Sequence, residues 1–294
     1  MKFADLHLHT KFSDGTYTPE ELVAQAKANS LAAIALTDHD TVGGCARAAA
    51  ACEKVGIEFI NGSELTSEHA GVEIHVLAYF VDTANAELLA ELAKFQSARQ
   101  NRIREMCAKL NEHGIALKAE DVFALANCQS PGRPHVARAL IAGKFCWDFD
   151  EAFERFLKKD KPAFVPKFKM STAHAIELIH RAGGLAVMAH PALNRNDEVI
   201  PAVVEAGLDG IEVFHTKHGP PANKRYMDIA NKFNLLITGG SDCHGLSKGR
   251  PLIGTVKLDY SYVEKMKRKC AAKTSSENSA NFREEDKAKT IRVN

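Results

Sequence analysis

The sequence lacks any run that approaches the roughly 18 apolar residues of a membrane span. Its first residues, Met1-Lys2-Phe3-Ala4-Asp5, also lack the apolar core of a signal peptide. None of its seven cysteines forms a Cys-x-x-Cys pair, which argues against a zinc knuckle, and their odd number argues against a disulfide framework. We therefore expect a cytoplasmic protein with no membrane association.

An excess of either charge is also missing, since 38 Lys and Arg residues balance 37 Asp and Glu residues to a net charge of +1. The chain thus has no overall attraction for nucleic acid or membranes, and an anionic substrate must be drawn by a local cluster. No feature calls for an obligatory protein partner. The 294 residues, 45% of them hydrophobic, suffice for one large α/β barrel or two ordinary domains.

What the chain does have is a recurring group of histidines and carboxylates at the ends of short apolar segments. Imidazole and carboxylate are the ligands that bind Zn, Mn and Fe in catalytic sites with open positions. A single histidine of this kind is usually a structural side chain, but the repetition favours a multinuclear metal site. The segments are Asp5–Thr10, Ser13–Gly15, Thr37–Asp40, Gly62–Glu64, His75, Ala189–Pro191 and Ser241–His244.

Strands and helices alternate in the predicted secondary structure, which favours an α/β fold with a parallel barrel. One helix begins at Thr18-Pro19-Glu20-Glu21, where Thr18 is the N-cap and Glu21 completes a capping box. Further helices are predicted over Val42–Val55, Thr172–Ala182, Glu198–Ala206 and Pro221–Phe233. The seven predicted strands are Lys2–Leu6, Ala32–Leu36, Glu58–Asn61, Glu73–Phe80, Leu185–Ala189, Gly210–Phe214 and Leu235–Thr238.

Residues 84–170 break this alternation and predict a helical insertion between two barrel halves, residues 1–83 and 171–270. Residues 271–294 are rich in Lys, Glu, Ser and Asn, and we expect a disordered tail there. The helices predicted within the insertion are Asn85–His113, Ala119–Ala126, Pro134–Ala142 and Phe149–Lys158.

Strand geometry explains how distant residues could share one site. His7 and His9 are two residues apart, so their side chains point to the same face of a strand. Asp242 and His244 repeat this spacing on the predicted last strand, and Cys243 between them should point away and pack in the core. Because barrel active sites lie at the carboxyl ends of the strands, we expect these side chains to converge there.

The order of these motifs resembles that of the PHP (polymerase and histidinol phosphatase) superfamily. The motifs are, in order, Asp-x-His-x-His-Thr, Thr-Asp-His-Asp, Gly-x-Glu, a lone His, His-Pro and Ser-Asp-x-His. The resemblance covers about residues 1–82 and 171–250. It implies a distorted (β/α)7 barrel with a trinuclear metal centre. The helical insertion is similar to that of small bacterial members, which remove the 3′-phosphate from nucleoside 3′,5′-bisphosphates or act as 5′-to-3′ exoribonucleases.

The same resemblance implies up to three divalent transition metals, with Mn expected first and Fe or Zn as alternatives. The carboxylate of Glu64 would bridge two ions and carry the catalytic role, while Asp5, Asp38 and Asp40 would orient imidazoles or serve as caps and surface charges. The implied ligand sets are His7, His9, Glu64 and Asp242; Asp14, His39 and His244; and Glu64, His75 and His190.

Two basic groups in the insertion could select the substrate. Arg99 and Arg102 interrupt the apolar stripe of the long helix, and Arg133 and His135 open a later helix, where an anion is favoured. These four residues would hold a second phosphate, although ordinary salt bridges with nearby glutamates are the alternative. His218, preceded by His215, follows the sixth strand and is predicted to contact the scissile phosphate or the leaving group.

The expected function is a metal-dependent phosphoesterase that hydrolyses a phosphate monoester of a small nucleotide, foremost the 3′-phosphate of a nucleoside 3′,5′-bisphosphate, with metal-activated water. One alternative is 5′-to-3′ trimming of short RNA. Another is histidinol phosphate hydrolysis, which needs no clamp for a second phosphate. A metal-holding regulatory or polymerase-associated module ranks below these, because the ligand set is complete and no polymerase domain is present.

Overall fold

A computed structural model describes residues 1–247 and 249–273. Its strands lie in two mixed sheets, with the orders β10-β1-β2-β3 and β6-β4-β5-β7-β8-β9. The strands are β1 (Phe3–Asp5), β2 (Ala33–Ala35), β3 (Glu58–Ile60), β4 (Gly62–His69), β5 (Val72–Tyr79), β6 (Met170–Ser171), β7 (Leu185–Met188), β8 (Gly210–His215), β9 (Leu236–Gly240) and β10 (Leu258–Asp259).

Helices separate most of the strands, and a π-helical turn (Phe153–Leu157) and a 3-10 turn (Asp197–Val199) extend two of them. Among the described residues, no helix is long and apolar enough to cross a membrane. The helices are α1 (Pro19–Ala28), α2 (Cys45–Val55), α3 (Ala86–Glu112), α4 (Ala119–Ala126), α5 (Arg133–Ala142), α6 (Phe149–Ala152), α7 (Thr172–Arg181), α8 (Pro191–Asn194), α9 (Ile200–Glu205), α10 (Pro220–Lys232) and α11 (260–273).

Backbone contacts join the two sheets in the order of a distorted barrel. At one junction the Leu6 amide donates to the Gly239 carbonyl over 3.1 Å, which links β1 to β9. At the other, His39 and Glu64 form a parallel bridge beyond the end of β2. Strands β1, β2, β3 with β4, β5, β7, β8 and β9 thus follow one another around the barrel, as the α/β prediction requires.

The predicted parallel direction is wrong at β5, which runs antiparallel to both β4 and β7, and the unpredicted strand β10 is antiparallel to β1. A hairpin turn with positive φ at Ala70 (49°) and Gly71 (79°) connects β4 to β5, as expected for a tight two-residue connection. The sequence analysis missed β4, since Gly-Ser-Glu-Leu-Thr-Ser-Glu-His lacks the apolar character of a buried strand. Its Glu64 side chain lies at the barrel mouth, whereas Leu65 packs in the core.

The helical insertion has a core of its own, built by α3 to α6 around residues such as Met106, Val136 and Leu157. The first half of α3 packs instead on the barrel core through Leu88 and Phe95. Helix α3 therefore connects the two cores and brings its middle turns to the barrel mouth. The helix α11 includes residues 271–273 of the predicted tail, and the other tail residues lie outside the described part of the chain.

Candidate metal centre

A buried cluster of histidines and carboxylates occupies the barrel mouth. His75 reaches it from the first half of β5, because this antiparallel strand begins where its neighbours end. Within each of four groups, the potential ligand atoms lie within 4.8 Å of one another, and the groups include all nine predicted ligands. They are His9, Asp14, His39 and His244; His7, Glu64 and His190; His39, Glu64 and His75; and His7, His9 and Asp242.

Glu64 lies at the centre of this cluster, at the beginning of β4. Its Oε1 is 2.6 Å from Nδ1 of His75 and 2.9 Å from Nε2 of His190. Its Oε2 is 3.3 Å from Nε2 of His7 and 3.1 Å from Nδ1 of His39. Burial opposes ionisation, but the surrounding imidazoles outweigh it and hold the pKa of the Glu64 carboxyl well below its usual range. Glu64 is therefore an anion, and each of its two oxygens contacts a different pair of histidines.

Two further carboxylates flank the histidines that follow β1 and β9. Oδ1 of Asp14 lies 3.1 Å from Nε2 of His244, and Oδ1 of Asp242 lies 3.2 Å from Nε2 of His9. Although burial lowers the pKa of His244, the charges of Asp14 and Asp242 raise it to about 9. The pKa values of the Asp14, Glu64 and Asp242 carboxyls all lie well below their usual range. The cluster therefore combines imidazoles with three negatively charged carboxylates, and this combination attracts cations.

Several buried atoms of the cluster have no hydrogen-bond partner among the described residues. They include both ring nitrogens of His9, Oδ1 of Asp14 and Nδ1 of His39. Their short separations from neighbouring ligand atoms lack the alignment of a hydrogen bond, and unpaired buried polar atoms are costly. A cavity of about 310 Å³ opens beside them. The donor set and these unpaired atoms fit divalent transition-metal ions held by imidazole and carboxylate.

The prediction that Asp242 and His244 alternate on the last strand is wrong. Strand β9 ends at Gly240, and Asp242 has a left-handed backbone with φ of 52°, so Asp242 and His244 do not alternate on a regular strand. They reach the cluster from the loop that follows. Cys243 between them is fully buried beside Leu8 in the barrel core, which confirms its predicted packing role.

Glu212 and His215 also belong to the cluster. The sequence analysis did not identify Glu212. The Glu212 carboxylate lies 3.1 Å from Nδ1 of His7 and accepts the backbone N–H of His190 over 2.8 Å. His215 forms a fifth group with His7 and Glu212, whose potential ligand atoms also lie within 4.8 Å of one another, and its Nε2 is 3.6 Å from Oδ2 of Asp242. The sequence did contain one signal for Glu212, because it is the single carboxylate in the otherwise apolar strand Gly-Ile-Glu-Val-Phe-His.

We expect Glu212→Gln to weaken metal binding about 10- to 100-fold, because the variant loses the charge that orients His7 and favours metal binding at its Nε2. Titration of metal-free protein with Mn²⁺ by calorimetry measures this effect, and the melting temperature of the metal-free variant reports on the fold. Glu198→Gln, an exposed carboxylate change, is the matched control. Unchanged Mn²⁺ affinity in Glu212→Gln would rule out this orienting role.

Asp5, Asp38 and Asp40 are fully or almost fully buried, but their hydrogen bonds do not go to imidazoles as predicted. Asp38 accepts the backbone N–H of Thr10 over 2.7 Å, and Asp5 accepts that of Ser241 over 2.8 Å. Burial raises the pKa of Asp5 to about 6. These carboxylates hold the ligand-bearing loops in place, and the imidazole contact is made by Glu212.

The three predicted substrate arginines have different surroundings. Arg99 donates to Oδ2 of Asp40 through Nε over 2.8 Å and through Nη2, so it forms a salt bridge with an aspartate. Arg102 donates from Nε to the Val165 carbonyl, and its buried Nη2 has no partner in the described part of the chain. Arg102 and Arg133 line a common cavity, while Arg99 lines a separate, smaller cavity together with Asp40 and Arg102.

His135 and His218 do not belong to the metal cluster. Nδ1 of His135 accepts the backbone N–H of Gly132 over 3.0 Å, which caps α5, and burial lowers the pKa of His135 to about 4. Nδ1 of His218 donates to the Val213 carbonyl over 2.8 Å, and its ring lies 5.2 Å from that of His215. His215 therefore stands between His218 and the metal centre.

The α/β barrel and its buried cluster of histidines and carboxylates suit a metal-dependent hydrolase. The chain belongs to the PHP domain family, whose model matches residues 5–164. It is 34% identical over 262 residues to the 3′,5′-nucleoside bisphosphate phosphatase of Chromobacterium violaceum, covering 86% of this chain and 91% of that protein. It is 35% identical over 246 residues to the 5′-3′ exoribonuclease of Haemophilus influenzae, covering 82% of this chain and 89% of that protein. A crystal structure from Bifidobacterium adolescentis, described as a metal-dependent phosphoesterase, aligns with a TM-score of 0.83 at 34% identity over 90% of this chain and 94% of that chain.

Proposed function

We propose that this metal-dependent phosphoesterase removes the 3′-phosphate from a nucleoside 3′,5′-bisphosphate. The observation that carries the proposal is a second, basic cavity that adjoins the metal centre and suits a second phosphate. The relative from Chromobacterium violaceum, named a nucleoside bisphosphate phosphatase and similar over most of both chains, supports the same substrate.

The nine clustered ligands would hold up to three ions, with Mn expected first and Fe or Zn as alternatives. Ions bound there supply positive charge that lowers the pKa of water and neutralises phosphate oxygens. Glu64 presents one oxygen to each side of the cluster and so suits a bridging position. Glu212 orients the His7 ring through its contact with Nδ1. No side chain of the cluster needs to form a covalent bond to the phosphate.

The second cavity, here called the clamp cavity, has a volume of about 600 Å³. It adjoins the metal centre because Glu73 lines both cavities. Burial first, and repulsion from Arg133 and Arg99 second, lower the pKa of Arg102, so a bound anion would stabilise its charge. Charged residues dominate the lining, namely Arg102, Arg133, Lys167, Lys169, Glu68 and Glu73.

A nucleoside bisphosphate would therefore bind with its 5′-phosphate in the clamp cavity and its 3′-phosphate at the metal centre. Arg102 and Arg133 carry the clamp in this proposal, because Asp40 already occupies the guanidinium of Arg99. His135 supports the clamp indirectly, since it caps the helix that begins with Arg133. Its low pKa leaves the ring neutral near pH 7, so it adds no charge for a phosphate.

Phosphate release tests the function directly. The Mn-loaded enzyme is incubated with adenosine 3′,5′-bisphosphate, histidinol phosphate or p-nitrophenyl phosphate at equal concentrations. We expect the highest kcat/KM for the bisphosphate, because only this substrate has an anion for the clamp cavity. A higher kcat/KM for histidinol phosphate would reject the nucleotide assignment, and no hydrolysis of any ester would reject the phosphoesterase mechanism.

The clamp itself predicts a selective loss. In Arg133→Ala, kcat/KM for the bisphosphate should fall about 10- to 100-fold, since a charge-assisted hydrogen bond contributes about 1.5–3 kcal/mol. Hydrolysis of p-nitrophenyl phosphate, which has no second phosphate, measures the metal centre alone in the same variant. Arg104→Ala on the exposed side of α3 is the matched control. Equal losses on both substrates in Arg133→Ala would contradict a phosphate-binding role.

A further inference from the structure

A further basic cavity opens between the loop that follows β8 and the segment that precedes β10. This β8–β10 cavity has a volume of about 580 Å³. Lys217, Arg250 and Lys257 line it, and there is no Asp or Glu among the described residues of its wall. It is separated from the metal centre by His215, which forms part of its wall and has its Nε2 3.6 Å from Oδ2 of Asp242.

The positive charge of this cavity is not neutralised by its surroundings. Lys217 and Arg250 are exposed and form no ion pair with a described carboxylate. Lys167 of the clamp cavity, by contrast, is paired with Glu73 over 2.7 Å. The amino-terminal end of α10 adds partial positive charge to the β8–β10 cavity, since Asn223 near the start of that helix lines it. An anion is therefore the kind of ligand that this cavity attracts.

His218 gives the same cavity a hydrogen-bond acceptor. The residue is only 8% exposed, and its Nδ1 donates to the Val213 carbonyl over 2.8 Å. Burial lowers the pKa of His218, so the ring is neutral near pH 7 and its Nε2 carries a lone pair. This buried Nε2 has no hydrogen-bond partner in the described part of the chain, and an unpaired buried acceptor is costly. A well-matched ligand therefore brings a hydrogen-bond donor together with its negative charge.

We propose that the β8–β10 cavity is a binding site for free orthophosphate, separate from the metal centre. Monohydrogen phosphate combines negative charge with one P–O–H group. That hydroxyl donates to Nε2 of His218, while Lys217 and Arg250 contact the charged oxygens. Sulfate has the same shape but no hydroxyl, so it places an oxygen lone pair against the lone pair of Nε2. The site goes beyond the proposed function, and binding there requires no turnover, although that function would release orthophosphate beside it.

The phosphate group of a nucleotide is the other source of a similar anion. Above neutral pH a phosphate monoester has lost most of its P–O–H groups, because its second pKa is about 6. Monohydrogen phosphate keeps its hydroxyl under the same conditions. The site should therefore prefer orthophosphate to a nucleoside 5′-monophosphate as well as to sulfate, and the three anions can be compared directly.

Acetylation of lysines tests the proposal at this cavity alone. The Mn-loaded enzyme is treated with acetic anhydride at mildly alkaline pH and constant ionic strength, and peptide mass spectrometry measures the rate at Lys217. We expect orthophosphate to slow this rate, with a half-protecting concentration about 10- to 100-fold below those of sulfate and adenosine 5′-monophosphate, as one charge-assisted hydrogen bond requires. Lys54 is the internal control, since it is exposed on α2 and lines neither this cavity nor the clamp cavity.

Two variants separate the acceptor from the charge. His218→Asn keeps an N–H group near the position of Nδ1 but lacks Nε2, so orthophosphate should lose its advantage over sulfate. Arg250→Gln keeps a long polar side chain without the charge, so both anions should protect Lys217 about 10-fold less well and their ratio should stay the same. Arg47→Gln, on α2 and paired with Glu20, is the matched control and should behave like the unaltered protein.

Three results with the unaltered enzyme would overturn the orthophosphate site. Acetylation of Lys217 that orthophosphate does not slow would show that the anion does not bind there. Equal protection by orthophosphate and sulfate would show that His218 does not act as the acceptor. Stronger protection by adenosine 5′-monophosphate would assign the cavity to a nucleotide. These comparisons need no variant, so they decide the question even if His218→Asn fails to fold, and they leave the proposed phosphoesterase function standing because no turnover is measured.

Discussion

Glu64→Gln is expected to lower kcat for every phosphate ester by roughly three orders of magnitude, equivalent to about 4 kcal/mol of transition-state stabilisation. The amide keeps the shape of the side chain but removes the negative charge that lies within 3.3 Å of His7, His39, His75 and His190. Because the charge is shared by both sides of the cluster, the variant should also retain fewer ions, as measured by elemental analysis after gentle purification.

Glu58→Gln is a suitable control, because this carboxylate lies at the start of β3 and is hydrogen-bonded to Tyr260 and Lys267, away from the mouth. It should keep the metal content and turnover of the unaltered protein. If Glu64→Gln retained near-native turnover and metal content, the bridging assignment would be wrong. An unfolded Glu64→Gln variant is recognised by far-ultraviolet circular dichroism before any activity is compared.

The second large effect concerns the salt bridge between Arg99 and Asp40. Asp40 is fully buried, and Arg99→Ala would leave its carboxylate without its guanidinium partner. Loss of one partner of a buried ion pair costs about 3–5 kcal/mol, so we expect a decrease of that size in the free energy of unfolding in urea. The Asp40 backbone N–H also donates to the Glu64 carbonyl over 3.1 Å, next to the His39 ligand. Activity on bisphosphate and on p-nitrophenyl phosphate should therefore fall by the same factor.

A double variant distinguishes this role from phosphate binding. Arg99→Met combined with Asp40→Asn removes both charges and should recover much of the stability lost in Arg99→Ala. If Arg99 instead binds the second phosphate, Arg99→Ala will leave the unfolding free energy unchanged and will reduce activity on the bisphosphate alone. That outcome would restore the interpretation of Arg99 drawn from the helix pattern.

Local signals in the sequence predicted most helix boundaries well. Thr18 and Glu21 form the expected capping box, and α2 ends at Val55 with Gly56 as its C-cap, where a φ of 69° suits glycine. The helix predicted over Asn85–His113 is α3 with Asn85 as its N-cap. These features depend on neighbouring residues alone, so a single sequence contains what is needed to find them.

Strand direction was harder, because it depends on pairing between distant residues. The apolar pattern of β5 is the same whether the strand runs parallel or antiparallel, and its partner β4 has few apolar residues to reveal it. The short Ala70-Gly71 connection is the local feature that requires the antiparallel direction. Glu64 of β4 joins the histidine cluster, and Leu65 is the one large apolar residue that the strand contributes to the core.

Residue types and their order were enough to predict that these histidines and carboxylates share one site, and the structure brings all nine of them together at the barrel mouth. Which of the remaining polar residues act with them depends on the folded chain. Folding brings Glu212 to within 3.1 Å of His7, 205 residues away, pairs Arg99 with Asp40, and makes His135 a helix cap. Residue type and spacing predict the candidate ligands, whereas the partner of a charged side chain depends on which distant surfaces the fold buries together.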